Sequence, residues 1–105
     1  MTADGELTLE TQSLPVPDEV MDLPLERVAE LARVWWADNQ PQMMIRPAAE
    51  DPMLIGIIIA DLAWHFSNAY AASGKFEQHE ALSRILAGWE EGHRIRIELK
   101  AGGAQ

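Results

Sequence analysis

Apolar and polar positions follow two different periods along this chain, and the longest apolar run, residues 53–60 (MLIGIIIA), lies at its centre. Asp51 precedes it as a side chain able to accept from free backbone N–H groups. Pro52 suits the first helical position, where its missing donor costs nothing. The pattern predicts a helix over about 51–72 that Gly74 can end in a left-handed conformation. Its first turns are apolar all round, so it is expected to be wrapped as the core of a small domain. A second helix is predicted over about 76–91, with Leu82, Ile85, Leu86 and Trp89 as its apolar stripe. Gly92 reads as its stop. The following HRIRIELK alternates strictly, with Ile95, Ile97 and Leu99 on one side and Arg94, Arg96, Glu98 and Lys100 on the other. That period predicts a C-terminal strand over about 93–99 and a frayed tail over 101–105.

Upstream, residues 24–46 carry two competing patterns. Leu25, Val28, Ala29, Ala32, Trp35 and Trp36 fall at helical spacings, opposite Glu26, Arg27, Glu30 and Arg33. The same residues from 31 to 37 are also rich in β-branched and aromatic types. They could turn near Asp38 and return through residues 42–46 as a hairpin. The pieces RVWWA, MMIRP, EDP and ADLAWHFSNAY, spread over residues 30–72, resemble a family of small uncharacterised bacterial proteins. The resemblance implies a strand, a short turn, a second strand, an aspartate–proline helix start and a long helix, and it implies no activity. Members tend to have a glycine-rich turn where this chain has Asp38-Asn39-Gln40-Pro41, and Pro41 cannot donate to a ladder. The reading that reconciles these signals is a short helix over about 24–30 followed by a hairpin over about 31–46.

Assembled, these elements predict a two-layer α+β fold: a small, mostly antiparallel sheet (31–46 and 93–99) with both helices packed on one face. Residues 23–100 would form one globular domain. Residues 1–22 would form an arm with one short strand at residues 7–9; its prolines favour extended chain, lying across the body through Leu14, Val16, Val20 and Met21.

Charge changes this picture at one end only. Of the net −9, residues 1–30 hold eight acids against the single base Arg27, while the other 75 residues hold nine acids against seven bases. An acidic arm on a nearly neutral body offers no basic surface for phosphates, which argues against nucleic acid and anionic membranes as partners. With no cysteine, disulfides, thiolate metal sites and cysteine nucleophiles are excluded. The N-terminus lacks the basic start and apolar block of a signal peptide, and the run 53–60 is too short to span a bilayer. These features lead to an expectation of a cytoplasmic protein.

Candidate chemistry is sparse. Asp61, His65 and Asn68 are spaced four and three residues apart, within about 60° of one helix face, so they could orient a base or bind a ligand. The ordinary alternative is an Asp–His pair at the edge where the helix surfaces. Glu90 and His93 have the spacing of one half of a di-metal site, but a single copy does not make one. His79 reads as a surface histidine. No glycine-rich phosphate loop or nucleophile elbow occurs, so neither a cofactor nor a metal is expected.

Trp35, Trp36, Met43 and Met44 are the better candidates for function. On a sheet face left bare by the helices they would form an apolar contact surface, and tryptophan is enriched among residues that dominate interfaces. The sequence therefore favours a non-enzymatic, self-associating or protein-interaction domain, with a homodimer through that face. The alternative is a small ligand-binding protein or enzyme using Asp61, His65 and Asn68.

Overall fold

The computed structural model of the protein describes residues 8–103. Its element order is α1 (Asp18–Met21), a 3-10 turn (Leu25–Arg27), β1 (Ala32–Ala37), β2 (Gln40–Ile45), α2 (Pro52–Ala72) and α3 (Gln78–Gly103). It is an α+β fold with a two-stranded antiparallel sheet and two main helices. The chain divides into two compact units, Met1–Ala48 and Ala49–Gln105, and each is described by itself.

In the first unit the hairpin prevails over the helical pattern. The 3-10 turn ends where Val28 turns extended (φ −129°, ψ 137°), so the helix anticipated over 24–30 shrinks to three residues. The strands then pair from Ala32↔Ile45 to Ala37↔Gln40, leaving Asp38 and Asn39 as a two-residue turn. Both turn residues take positive φ, 55° and 64°, the conformation whose twist matches that of paired strands. Asp and Asn tolerate it because their short polar side chains offset part of the left-handed penalty.

Register also explains Pro41. Arg46 N donates to Leu31 O at 2.8 Å, so the hydrogen-bonded pairs are those of Leu31, Arg33, Trp35 and Ala37. Pro41 faces Trp36 in a pair that exchanges no hydrogen bond, and its nitrogen points to the outer edge of β2.

Before the hairpin, Thr8 and Thr11 bond reciprocally and Gln12 N donates to Thr8 O at 3.1 Å. Residues 8 and 9 therefore belong to a turn rather than the expected strand, whose Leu7 lies outside the described residues. One helical turn, α1, follows Pro17 where extended chain was anticipated.

The second unit is an antiparallel helical hairpin. Asp51 is in extended conformation and its carboxylate accepts from Met53 N at 3.0 Å, capping α2, with Pro52 in the first turn. At the far end Ser73 N donates to Ala69 O and Gly74 adopts φ +84°, which reverses the chain into α3. Tyr70 and Phe76 meet edge to face across this bend, with ring centroids 5.8 Å apart.

Small side chains set the approach of the two helices. Ser67 on α2 is fully buried and Ala81 on α3 is 4% exposed, with Ala63, Ala71, Leu82 and Ile85 half-buried around them.

Two expectations fail in this unit. Residues 93–99 form no strand, because α3 continues through Gly92 to Gly103, absorbing part of the anticipated tail as well. The strictly alternating stretch carries an equally good helical network: Arg94 donates to Glu91 one turn before it and to Glu98 one turn after it, at 2.6 Å for Glu98. Such pairs at three and four residues support helix, and Gly92 interrupts it at a cost of only about 1 kcal/mol.

Nor is α2 wrapped. Ser67 is its only buried residue, and nine large apolar side chains between Met53 and Tyr70 stand 39–64% exposed. The whole helix, with a mean hydropathy of 1.2 over an 18-residue window, is long and apolar enough to cross a membrane, although residues 53–60 alone are not.

Candidate functional site

Helical spacing brings Asp61, His65 and Asn68 onto one side of α2. His65 Nε2 lies 3.3 Å from Asp61 Oδ2, and the two side chains are 66% and 70% exposed. Asn68 turns to the neighbouring helix, where its Oδ1 accepts from Gln78 Nε2. The wedge thus splits into a solvated Asp–His pair and an amide clamp between α2 and α3.

A cavity of about 290 Å³ in this unit is lined by Tyr70, Phe76, Ala81, Arg84 and Ile85, and includes none of the three wedge residues. An Asp–His pair in open water, with no third group beside it, has the make-up of an ordinary surface pair one turn apart. On α3, His93 Nδ1 lies 3.1 Å from Trp89 O and the two ring centroids are 4.4 Å apart with their planes tilted by 44°, so its neighbour is Trp89 rather than Glu90. His79 is exposed. Among the described residues, no group of three His, Cys, Asp or Glu could hold a metal.

The four aromatic and methionine candidates do not share a face. Successive residues of a strand point to opposite sides, and paired residues point to the same side. Trp36 and Met43 therefore stand with Val34 and Ile45 on one face, while Trp35 and Met44 stand with Arg33 and Gln42 on the other. This corrects the expectation of a single contact surface made of all four.

The two faces differ in character. The first is apolar throughout, and Trp36 is 74% exposed there. On the second, Trp35 is half-buried and the Arg33 guanidinium lies 5.3 Å from its ring centroid. Arg33 is also 3.6 Å from Glu30. Val34 and Ile45 were missed by a reading that weighed residue type; pairing strand positions by their sum across the turn would have found them.

Along β1, arm residues Leu9, Leu14 and Val16 join Val34, Trp35 and Trp36 around a cavity of about 1000 Å³. Leu14 is 90% exposed and Val16 55%, so these side chains border an open cavity rather than packing across the hairpin. Polar groups there, Gln12, Ser13, Glu30, Arg33 and Gln42, lie among the apolar ones without forming a catalytic constellation.

Taken together, these elements make a small α+β fold in which α2 and one face of the hairpin carry exposed apolar side chains. The chain belongs to the family described as Domain of unknown function (DUF5076), which it matches over residues 13–94. It is also similar to a solved structure described as "a putative pyruvate dehydrogenase from the photosynthetic bacterium Rhodopseudomonas palustrus CGA009". The two are 28% identical with a TM-score of 0.64, over 77% of this chain and 81% of that one. No curated protein matches the chain.

Proposed function

We propose that this protein is a non-enzymatic protein-interaction domain, working in an aqueous, cytoplasmic setting, that acts by offering apolar side chains to another polypeptide. The observation that carries this reading is α2: a 21-residue helix with one buried residue and nine large apolar side chains at least 39% exposed. Soluble monomers rarely expose contiguous apolar surface on that scale, and where it occurs it commonly marks a contact site. The hairpin face of Val34, Trp36, Met43 and Ile45 supplies a second such surface. The activity named for the structural relative belongs to that protein. Among the described residues no group of three His, Cys, Asp or Glu could hold a metal, and the Asp61–His65 pair stands in solvent.

The test combines light scattering with a dye that fluoresces on exposed apolar surface. At micromolar concentration the chain is expected to self-associate, or else to light the dye as a monomer. A monodisperse monomer that leaves the dye dark would overturn the reading.

A further inference from the structure

The occupant of the exposed surface of α2, we infer, is a second copy of this chain, so that two α2–α3 hairpins close into a four-helix bundle with α2 along the seam. This rests on the interaction reading above and names its partner.

Position around the helix comes first. The side of α2 that meets α3 is built of small residues, with Ser67 fully buried and Ala63 and Ala71 half-buried. At 100° per residue, Ile55, Ile58, Ile59, Leu62 and Phe66 fall on a separate stripe about 100° wide, the width by which a helix joins a bundle. Four of these five are at least 39% exposed, and no polar residue interrupts the stripe. Asp61, His65 and Asn68 occupy the neighbouring part of the circumference, where a polar rim belongs.

Area comes second. Five of the nine exposed side chains of α2, those of Ile58, Ile59, Leu62, Phe66 and the adjoining Tyr70, lie on or beside this stripe and leave about 450 Å² of apolar surface in water, taking each as roughly half exposed. A stable interface takes about 800 Å² from each partner. The stripe therefore offers about half of one side of a dimer, and α3, where Leu86 and Trp89 are each about half exposed, is left to supply the remainder of the bundle contact.

The third consideration is what the hairpin lacks. Ala81 is the only buried apolar residue among those described, so α2 and α3 enclose no hydrophobic core between them. Two-helix units of this kind gain one by pairing, as bundles do. A lipid bilayer is the competing occupant, because α2 is long and apolar enough to cross one. Asp61 near the middle of the helix opposes it, since carboxylates at that depth are expensive unless paired within protein. Its partner here, His65, is a titratable side chain that would enter the hydrocarbon with it.

The experiment uses the full chain and compares Ile58→Asp, Leu62→Asp and Trp36→Asp by sedimentation equilibrium, with circular dichroism as the check on helicity. The wild type is expected to be a dimer at micromolar concentration. Both α2 variants should keep their helicity and weaken the dimer at least a hundredfold, and Trp36→Asp should leave it intact. Hydrogen exchange of the wild type adds a readout that needs no variant: α2 amides should gain protection across the concentration range in which the dimer forms. Should the α2 variants lose their helices, that readout decides.

A dimer that survives both α2 variants overturns the inference. So does one lost only with Trp36→Asp, which would put the contact on the hairpin face and leave the interaction reading standing. A monomer that binds the apolar-surface dye also overturns it while keeping the broader reading. A dark monomer removes both. Co-sedimentation of the wild type with phosphatidylcholine vesicles would make lipid the occupant and overturn the inference as well.

Discussion

At the residue scale, the turn and the wedge show which side chains matter to structure. Asn39 holds φ 64°, a conformation that costs a β-branched residue roughly 1–2 kcal/mol. Asn39→Val should therefore destabilise the hairpin by about that amount, while Asn39→Gly should leave it unchanged or slightly firmer, as read from amide exchange across β1 and β2. His65 is two-thirds exposed and faces only Asp61. Replacing it by Ala should move thermal stability by no more than about 0.5 kcal/mol. A larger loss would assign His65 a buried contact in the assembled protein.

At the element scale, the sequence was most legible where a chemical signal was local. The Asp51–Pro52 start and the Gly74 stop of α2 needed only capping chemistry to be placed, and both stand where that chemistry puts them. The hairpin was legible only because the resemblance outweighed a good helical pattern over residues 25–36. Cross-strand pairing there prevails over local periodicity, and residue spacing alone does not report pairing. The last element failed for a related reason. In RIRIELK, isoleucines two apart fit a strand, yet Arg94 with Glu91 and Glu98 fits a helix equally well, and Gly92 is a weak stop.

The network around Arg94 yields its own prediction. The hydrogen bond from Arg94 holds the Glu91 carboxyl below its ordinary range near 4.5 and raises the guanidinium. A depressed carboxyl stabilises the fold above its unfolded pKa, and that contribution disappears as pH falls through the folded value. The C-terminal half of α3 should accordingly lose amide protection below about pH 4.5. The loss should be shallower at high salt and absent in Arg94→Ala, whose protection should fall below the wild type's at neutral pH and match it in acid.

At the scale of the whole molecule, the candidate site was half legible. Trp36 and Met43 were marked by type and do face solvent, but the partition of Trp35 and Met44 to the opposite face follows from register, which no single residue reveals. Within its own unit α2 is covered only along the side that meets α3, because an apolar sequence states that a helix needs covering without saying what covers it.

If a second copy does so, folding and association are linked. Each tenfold rise in protein concentration should then stabilise the assembly by about 1.4 kcal/mol and raise the melting midpoint by a few degrees. A midpoint that stays constant from about 1 to about 100 micromolar would show that folding does not depend on association.

Pro41 has a consequence beyond its own strand. The outward positions of β2 are 41, 43 and 45, and the first of them has no hydrogen to give. On β1 the outward positions, 32, 34 and 36, all keep theirs. The ribbon is thus lopsided: another strand can lie fully bonded along β1, while one approaching β2 meets a broken row. Edge-to-edge stacking can join ribbons through β1 but is poorly propagated beyond, a built-in brake on fibre growth.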